Sequence, residues 1–350
     1  MDKKVYKVVL LNGTGEQGKW ILRQTAGGLG FSDCGKYRFY VNEFIDDPDF
    51  VVIRGKSFKQ PLRLNVAPEN IVLTTSEPLS VLDYPADYRR QFGLVCSCQE
   101  GLRDKNVMYV PPILPWYVGA LFDRNGSGKV QSSYDDFKSM PFPEKTKLIS
   151  VISSDKAFTK GHLDRIRFID RLKARYGDKV DFYGRGFCDF GDKMEVLAPY
   201  KYHIVIENSC SRYYWTEKLS DCYIAGTYPI YHGCRNVGDY FPEGSFTAVN
   251  INDFDETIRT IDSVIEASLF EKNLSVLKEC KEKVLGEYNM FNIIARCLDT
   301  LEPERPRRQV VLEPAHSMHS LHNTFNYIIG HNYYKCCYSL YKKFNKNRMK

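Results

Sequence analysis

Short hydrophobic runs separated by glycine- and proline-containing turns recur along the first third of the chain and predict buried strands. Such runs cover residues 5–11, 51–53 and 71–75. Three prolines then interrupt residues 110–116, and proline can continue neither a helix nor a central strand. The pattern therefore predicts strands joined by turns, followed by an extended segment.

From residue 148 onward, strand-like runs alternate with stretches of helical periodicity. Residues 148–152, 180–183 and 203–206 have the apolar character of buried strands, whereas 161–176 carries its apolar residues on one helical face. Alternating strands and helices are typical of parallel sheets. We therefore expect an α/β fold.

A polar stretch broken by glycine and proline, residues 124–147, is the predicted linker between two domains. The length of 350 residues also indicates two domains, at about 100–200 residues each. The predicted divisions are a first domain at 1–145, a second domain at 146–313 and a basic, aromatic tail at 314–350.

The basic residues that give the chain its net charge of +6 lie in that tail. Residues 314–350 hold six lysines or arginines and no acidic residue, whereas the preceding part of the chain is balanced. Because a nucleic-acid binder spreads positive charge over its fold, we expect no nucleic-acid partner. No apolar run reaches the about 18 residues of a membrane span, and the start lacks a signal-peptide pattern, so the sequence predicts a cytoplasmic protein.

A glycine motif, Gly13-x-Gly15-x-x-Gly18, follows the first predicted strand as in a dinucleotide-binding fingerprint. That fingerprint also needs an acidic residue at the end of a second strand about twenty positions later, and only Glu43 comes near. We interpret the motif as a tight turn rather than as a binding site for NAD or FAD.

Two further motifs resemble metal sites without completing them. Asp253-Phe-Asp255 stands at a predicted helix start, where aspartates act as caps. His316-x-x-His319-x-x-His322 has helical spacing but lacks a fourth ligand type. None of the eleven cysteines forms a Cys-x-x-Cys pair, so we expect reduced thiols and no structural zinc.

The densest chemistry lies between residues 203 and 254. A predicted buried strand ends at Glu207 and Asn208, and open α/β sheets bind ligands at that end of their strands. The next predicted helix holds Thr216, Glu217 and Lys218 in its first turn, where free N–H groups and the helix dipole favour a phosphate. A carboxylate there can accept hydrogen bonds from sugar hydroxyls. The segment therefore predicts a nucleotide-sugar site.

This segment resembles the donor-binding signature of the α1,3/4-fucosyltransferases, glycosyltransferase family 10, in their bacterial form. The shared motifs are Glu-Asn-Ser, Thr-Glu-Lys-Leu and Ala-Gly-Thr-x-Pro-Ile, in that order. The resemblance implies a GT-B architecture, in which two Rossmann-like domains face each other across a cleft. It implies that the second domain binds GDP-β-L-fucose and that the first binds a glycan acceptor. It also implies inverting transfer, most often to form an α1,3 linkage, with no cofactor and no metal in the donor site.

The resemblance also assigns donor-site residues. Arg165 corresponds best to the family's diphosphate-contacting arginine, with Arg167 on the same predicted helix as the second choice. These cations would neutralise the leaving diphosphate. The other residues that match family donor positions are Asn208, Tyr214, Glu217 and Lys218.

Inverting transfer needs a general base for the acceptor hydroxyl, and the family places a carboxylate on the first domain. The acidic segment of some bacterial members is replaced here by residues 92–100. Glu77 and Glu100 are the candidates, and we favour Glu77. Two alternatives stay open: a transferase that uses another nucleotide sugar, and a non-catalytic nucleotide- or glycan-binding protein that lacks a base.

The tail combines aromatic and basic residues at helical spacing. Tyr334 and Tyr341 fall on one side of a predicted helix, and Lys335 and Lys342 on another. Such a helix, within residues 325–350, can lie on an anionic membrane, and the resemblance allows a lipid-linked glycan as well as an oligosaccharide as acceptor. The alternative is that the helix packs back on the body of the protein.

Overall fold

Two parallel sheets, each covered by helices, form the protein. The structure is a computed structural model that describes residues 4–13, 15–122, 128–157, 159–318 and 332–343. Within these ranges, no helix is long and apolar enough to cross a bilayer.

The first sheet belongs to the N-terminal half. Within the described residues its strand order is β2-β1-β3-β5-β6-β7, with every pairing parallel. The elements of this half are, in chain order, β1 (Tyr6–Leu11), β2 (Tyr37–Val41), β3 (Phe50–Arg54), β4 (Leu62–Val66), β5 (Ile71–Thr74), α1 (Ala86–Arg89), β6 (Leu94–Ser97), β7 (Val107–Tyr109), β8 (Ala120–Phe122), β9 (Gly128–Val130) and α2 (Tyr134–Ser139).

The second sheet has the order β11-β10-β12-β13-β14 among the described strands, again with parallel pairings. Its elements are β10 (Lys147–Ile152), α3 (Lys160–Tyr176), β11 (Asp181–Tyr183), α4 (Met194–Leu197), β12 (Tyr200–Ile206), α5 (Glu217–Ile224), β13 (Tyr228–His232), β14 (Thr247–Ala248), α6 (Phe254–Glu266), α7 (Leu269–Lys272) and α8 (Leu274–Leu285).

The last elements of the chain are α9 (Met290–Leu298), β15 (Arg308–Leu312) and α10, which covers residues 332–343. The side chains of Phe291 and Ile294 in α9 pack in the same core as Val8 and Leu10 of β1. β15 pairs in antiparallel fashion with β4. Both elements therefore belong to the first domain, and the predicted extent of the second domain, 146–313, differs from the structure at this end. The physical reason is that α9 supplies an apolar face that the first sheet needs on one side.

The predicted boundary at residue 145 also differs from the structure. Trp116, Val118 and Phe137 are buried in the core of the second domain together with Val151 and Leu172. The predicted linker, 124–147, contains β9 and α2, and a capping box at Ser133 and Asp136 starts that helix. The chain thus joins the second domain well before residue 145.

Alternation along β1 explains how one strand serves two cores. Val8 and Leu10 face the α9 side of the sheet, whereas Val9 and Leu11 face a cluster around Tyr88. Successive side chains of a strand point to opposite faces, so a strand covered on both sides is apolar throughout. Gly13, just after β1, has a φ of 75°, a conformation that favours glycine and gives this position a structural role in the turn.

Candidate active site

A cavity of about 330 Å³ lies at the C-terminal ends of β10 and β12 in the second domain. This is the edge at which open α/β sheets bind their ligands. Arg165, Glu217 and Lys218, three of the residues selected from the sequence, line the cavity together. Lys156, Lys193 and Asp221, which the sequence analysis did not select, also belong to its charged lining.

Lys218 is held at the start of α5 by two carboxylates. Its Nζ lies 3.1 Å from Glu207 Oε2 and 3.6 Å from Glu217 Oε1. Burial alone would lower the pKa of Lys218, but the two carboxylates outweigh burial and raise it above its usual value. Lys218 is therefore a cation in the neutral pH range, which suits a phosphate ligand.

Glu207, at the end of β12, organises the start of α5. It is buried, and it accepts hydrogen bonds from the Thr216 backbone N–H (2.8 Å) and from the Thr216 hydroxyl. Thr216 in turn caps α5 by accepting from the Lys218 N–H. Burial raises the pKa of Glu207, whereas Lys218 opposes that rise. Glu207 thus has its partners within the protein and positions Lys218.

Arg165 reaches the cavity from the buried side of α3. Its Nη1 donates to Asn208 Oδ1 at 2.9 Å, and its Nη2 donates to the Ser154 hydroxyl at 3.1 Å. Burial lowers the pKa of Arg165 to about 10, so the side chain stays charged at neutral pH. A Cβ at Gly161 would stand 2.4 Å from the Asn208 carbonyl oxygen, so only glycine lets the first turn of α3 approach Asn208 this closely.

Arg167, the second choice for the same role, lies elsewhere. Its side chain is exposed, and its guanidinium carbon stands 5.8 Å from the centre of the Tyr341 ring in α10. One helical face carries Arg165 into the site, and the opposite face carries Arg167 toward the C-terminal helix. The structure therefore separates the two candidates that the sequence left together.

Tyr214 is almost completely buried beside the site. Burial, with the carboxylates of Glu207 and Glu77 nearby, raises the pKa of its hydroxyl well above the ordinary value, so the hydroxyl stays protonated. The preceding residue, Tyr213, has a φ of 66° and stacks on Tyr109 of the first domain at 5.1 Å between ring centres. This strained loop joins the two domains next to the cavity.

Lys193 and Asp221 tie the cavity to the segment that connects the domains. Lys193 Nζ lies 2.7 Å from Asp221 Oδ2, and Asp221 Oδ1 accepts from the Tyr117 N–H at 2.9 Å. Lys193 also lies 3.9 Å from Glu217 Oε1, and Lys218 and Lys193 together lower the pKa of Glu217 although burial acts against them. The spacing of Glu217 and Asp221, four residues apart on α5, was a usable signal for one face, whereas Lys193 had no local signal.

Glu77, on the first domain, interacts electrostatically with Lys218 and Glu217 of this cavity. Burial raises the pKa of Glu77, the Lys218 charge opposes that rise, and Glu217 adds to it. The Glu77 carbonyl oxygen accepts from Gln99 Nε2 at 3.0 Å, which fixes the backbone at this point. Lys156 and, more weakly, Arg54 at the end of β3 also lower the pKa of Glu77, and sequence reasoning missed both residues. Arg54 donates to Asn12 Oδ1 at 2.6 Å.

Glu100, the other candidate base, has a different environment. It forms an ion pair with Arg235 of the second domain and accepts from the Arg212 N–H at 3.2 Å. Its side chain is 37% exposed, at the rim of the cleft. Both carboxylate oxygens are thus used in a bridge between the domains.

The candidate metal motifs do not assemble a site in the described part of the chain. Asp253 caps α6 by accepting from the Glu256 N–H at 3.1 Å, as expected for an aspartate at a helix start. His316 lies in a short 3-10 helix, whereas His319 and His322 lie outside the described residues. No group of three or more His, Cys, Asp or Glu among the described residues could hold a metal ion.

The sequence of the second domain matches a known family. Residues 142–267 match the sequence model of the glycosyltransferase family 10 (fucosyltransferase) C-terminal domain, and Arg165 and Lys218 both lie within that segment. This part of the chain is similar to glycosyltransferase family 10. The resemblance seen in residues 203–254 is confirmed by this match.

Two curated family 10 relatives are similar over part of their length. The chain is 38% identical over 73 residues to the α-(1,3)-fucosyltransferase FucT of Helicobacter pylori. That segment covers 21% of this chain and 15% of that protein. It is 28% identical over 117 residues to the 4-galactosyl-N-acetylglucosaminide 3-α-L-fucosyltransferase 9 of Mus musculus. This second segment covers 32% of this chain and 31% of that protein. The matched segments thus span less than a third of either relative.

The fold of the chain is similar to that of a solved α1,3-fucosyltransferase with GDP. The TM-score is 0.51 at 19% sequence identity, and the match covers 85% of this chain and 91% of the other. Together with the two parallel sheets, this likeness shows a GT-B architecture of two Rossmann-like domains. The fold class predicted from the sequence is confirmed.

Proposed function

We propose that this protein is an inverting fucosyltransferase, which moves L-fucose from GDP-β-L-fucose to a hydroxyl of a glycan acceptor and most often forms an α1,3 linkage. The observation that carries the proposal is the cavity at the edge of the second sheet, where Arg165 and Lys218 lie within the segment of family 10 similarity. The named activity of the H. pylori relative supports fucose as the transferred sugar.

Donor binding follows from the charges around the cavity. Breaking the bond from fucose C1 to the diphosphate leaves negative charge on the leaving group. Lys218, Arg165 and the N-terminal N–H groups of α5 would stabilise that charge, and stabilisation of this kind is commonly a large part of catalysis. Glu217 is kept ionised by its lysine neighbours and can accept hydrogen bonds from hydroxyls of the donor. Asn208 and Tyr214 stand behind these residues and position Arg165 and the loop before α5.

The acceptor side of the mechanism rests on Glu77. A carboxylate with a raised pKa is a stronger base and is better matched to neutral pH. Because Glu77 lies on the first domain, opposite Lys218 and Glu217, it can take the proton of an acceptor hydroxyl that attacks the face of fucose away from the diphosphate. We assign Glu77 as the base and give Glu100 a role in the bridge between domains.

We also propose that no metal is needed at the donor site, because Lys218 and Arg165 provide the positive charge that a cation would otherwise supply. The chemistry of the lining supports this, since Glu207 and Asp221 are each paired with a lysine and do not converge on a shared position.

The proposal is tested by incubating the purified protein with GDP-fucose and a glycan array and detecting fucosylated products by mass spectrometry. Parallel calorimetric titrations with GDP, GDP-fucose and UDP-sugars compare the donors. Transfer only from another nucleotide sugar would favour the alternative transferase. Tight GDP binding without any transfer or donor hydrolysis would favour the non-catalytic binding protein.

We further propose that the basic tail contacts an anionic membrane from the cytoplasmic side, which would bring the enzyme to lipid-linked glycans. Support comes from α10, on which Lys335, Lys342 and Lys343 are exposed while Tyr341 is partly buried. The Tyr341 hydroxyl donates to Asp170 of α3 at 2.7 Å, so the helix packs on the body and presents its lysines outward. Residues 325–331 and 344–350 of the predicted tail helix lie outside the described residues.

A further inference from the structure

A second cavity, of about 300 Å³, lies beside the donor cavity and is walled by separate parts of the chain. The first domain contributes one residue, the start of α3 and two loops of the second domain contribute most of the lining, and α10 contributes an aromatic ring. The polar and aromatic lining residues on which the inference rests are Ser80, Lys160, Asp164, Asn208, Asn252 and Tyr334.

This second cavity adjoins the donor cavity and reaches the first domain. Asn208 lines it and accepts from Arg165, which lines the donor cavity. Ser80 of the first domain also lines the second cavity. A molecule in the second cavity would therefore lie next to the donor cavity and contact both domains.

The charges of the second cavity compensate one another. Lys160 Nζ is paired with Asp164 Oδ2 at 2.5 Å, and Glu207 has its partners in Thr216 and Lys218. A lining without net charge favours a neutral ligand over a phosphate or an acidic sugar. Hydroxyl, amide and charged groups provide both donors and acceptors, and a volume of this size is at the lower end of small-molecule sites. A saccharide of one or two rings fits these properties.

Tyr334 gives the cavity an aromatic wall, and α10 is held in place by other contacts. The Tyr341 hydroxyl binds Asp170, and the Arg167 guanidinium lies over the Tyr341 ring. Both partners are on α3, whose first turn also lines the cavity. The ring of Tyr334 is thus positioned before any ligand binds, which reduces the entropic cost of binding.

We propose that the second cavity is a subsite for the acceptor saccharide and that Tyr334 forms its apolar wall against the C–H face of a sugar ring. This inference rests on the proposed fucosyltransferase function, but it assigns a binding role to a C-terminal helix outside the segment of family similarity. The C-terminal helix then contributes to acceptor recognition and not only to surface contacts.

The test measures the affinity of a 4-galactosyl-N-acetylglucosamine disaccharide by NMR titration of the full-length protein in the presence of GDP. Tyr334→Ala is expected to weaken the affinity about 3- to 10-fold, the size of an aromatic contact, whereas Tyr334→Phe keeps it near wild type. Leu340→Ala is the matched control, because Leu340 is on the same helix and 50% exposed. Asn252→Ala, in a loop of the second domain that also lines the cavity, should weaken binding as well and does not depend on how α10 folds.

The outcomes separate the subsite from the proposed function. Weaker disaccharide binding in Tyr334→Ala and Asn252→Ala, with GDP affinity unchanged, supports the subsite. Equal disaccharide affinity in Tyr334→Ala, Asn252→Ala and Leu340→Ala overturns it, as does a wild-type protein that binds GDP but not the disaccharide. A wild-type protein that binds neither GDP nor GDP-fucose overturns the proposed function itself.

Discussion

Replacing Lys218 by alanine should affect both catalysis and stability, and the structure allows the two effects to be separated. The ammonium group stands 3.1 Å from Glu207 Oε2, and the Glu207 side chain is fully buried. At an effective dielectric constant of about 20, two charges at this distance attract by about 5 kcal/mol. Loss of one partner from a buried pair costs about 3–5 kcal/mol of folding stability, because the other charge is left without compensation.

The catalytic effect adds to this and has a separate cause. Without Lys218, the leaving diphosphate loses a charge-assisted contact worth about 2–4 kcal/mol in the transition state, or about 30- to 1,000-fold in rate. The double variant Lys218→Ala/Glu207→Gln removes the unpaired carboxylate, so it should recover much of the stability without recovering the rate. Glu207→Gln alone is the matched control for the loss of the Glu207 charge.

The measurements are urea unfolding followed by circular dichroism and the initial rate of fucose transfer from GDP-fucose. A folded Lys218→Ala protein with the wild-type transfer rate would refute the donor-site assignment. A double variant no more stable than Lys218→Ala would refute the argument that an unpaired Glu207 is what destabilises the single variant.

Three further predictions concern the base, the metal and the tail. Glu77→Gln should abolish transfer while GDP binding, measured by calorimetry, persists, whereas Glu100→Gln should keep most of the activity; the opposite result would exchange their roles. Because the base must be deprotonated and the pKa of Glu77 is raised, wild-type activity should fall with decreasing pH at a higher pH than for an ordinary glutamate, and a pH–rate profile without such a limb contradicts the assignment. Transfer should persist in EDTA, and a loss of activity restored by Mg²⁺ or Mn²⁺ would contradict the metal-free proposal. Substitution of Lys335, Lys342 and Lys343 by Gln should reduce co-sedimentation with anionic vesicles at low salt but not with neutral ones; equal partitioning of wild type and variant would refute membrane contact.

The sequence alone determined those parts of the site that depend on neighbouring residues. The apolar run of β12, the polar residues at its end and the cap at Thr216 are contiguous, so the strand, the loop and the start of α5 could all be predicted. Glu217 and Lys218 follow that cap directly, and their place in the first turn needs no distant information. The cap at Asp253 was predictable for the same reason.

Only the tertiary structure decided which of two similar residues reaches the site. Arg165 and Arg167 are two positions apart on one helix, and they point to different faces because a helical turn takes about 3.6 residues. Which face meets the cavity depends on how α3 packs against the second sheet. The different environment of Glu100 likewise depends on Arg235, a residue far away in the chain that forms an ion pair with Glu100.

The tertiary structure also decided where the domains divide and which distant groups join the site. The apolar residues of α9 show that one face must be buried, but hydrophobic periodicity does not tell which sheet the face covers, and here it is the first. Arg54 and Lys193 lie in segments without a local motif. Folding brings Arg54 within electrostatic reach of Glu77, and it places Lys193 beside Glu217 and Asp221. Local patterns fix hydrogen bonds and faces over a few residues, whereas long-range packing brings charges together from distant positions.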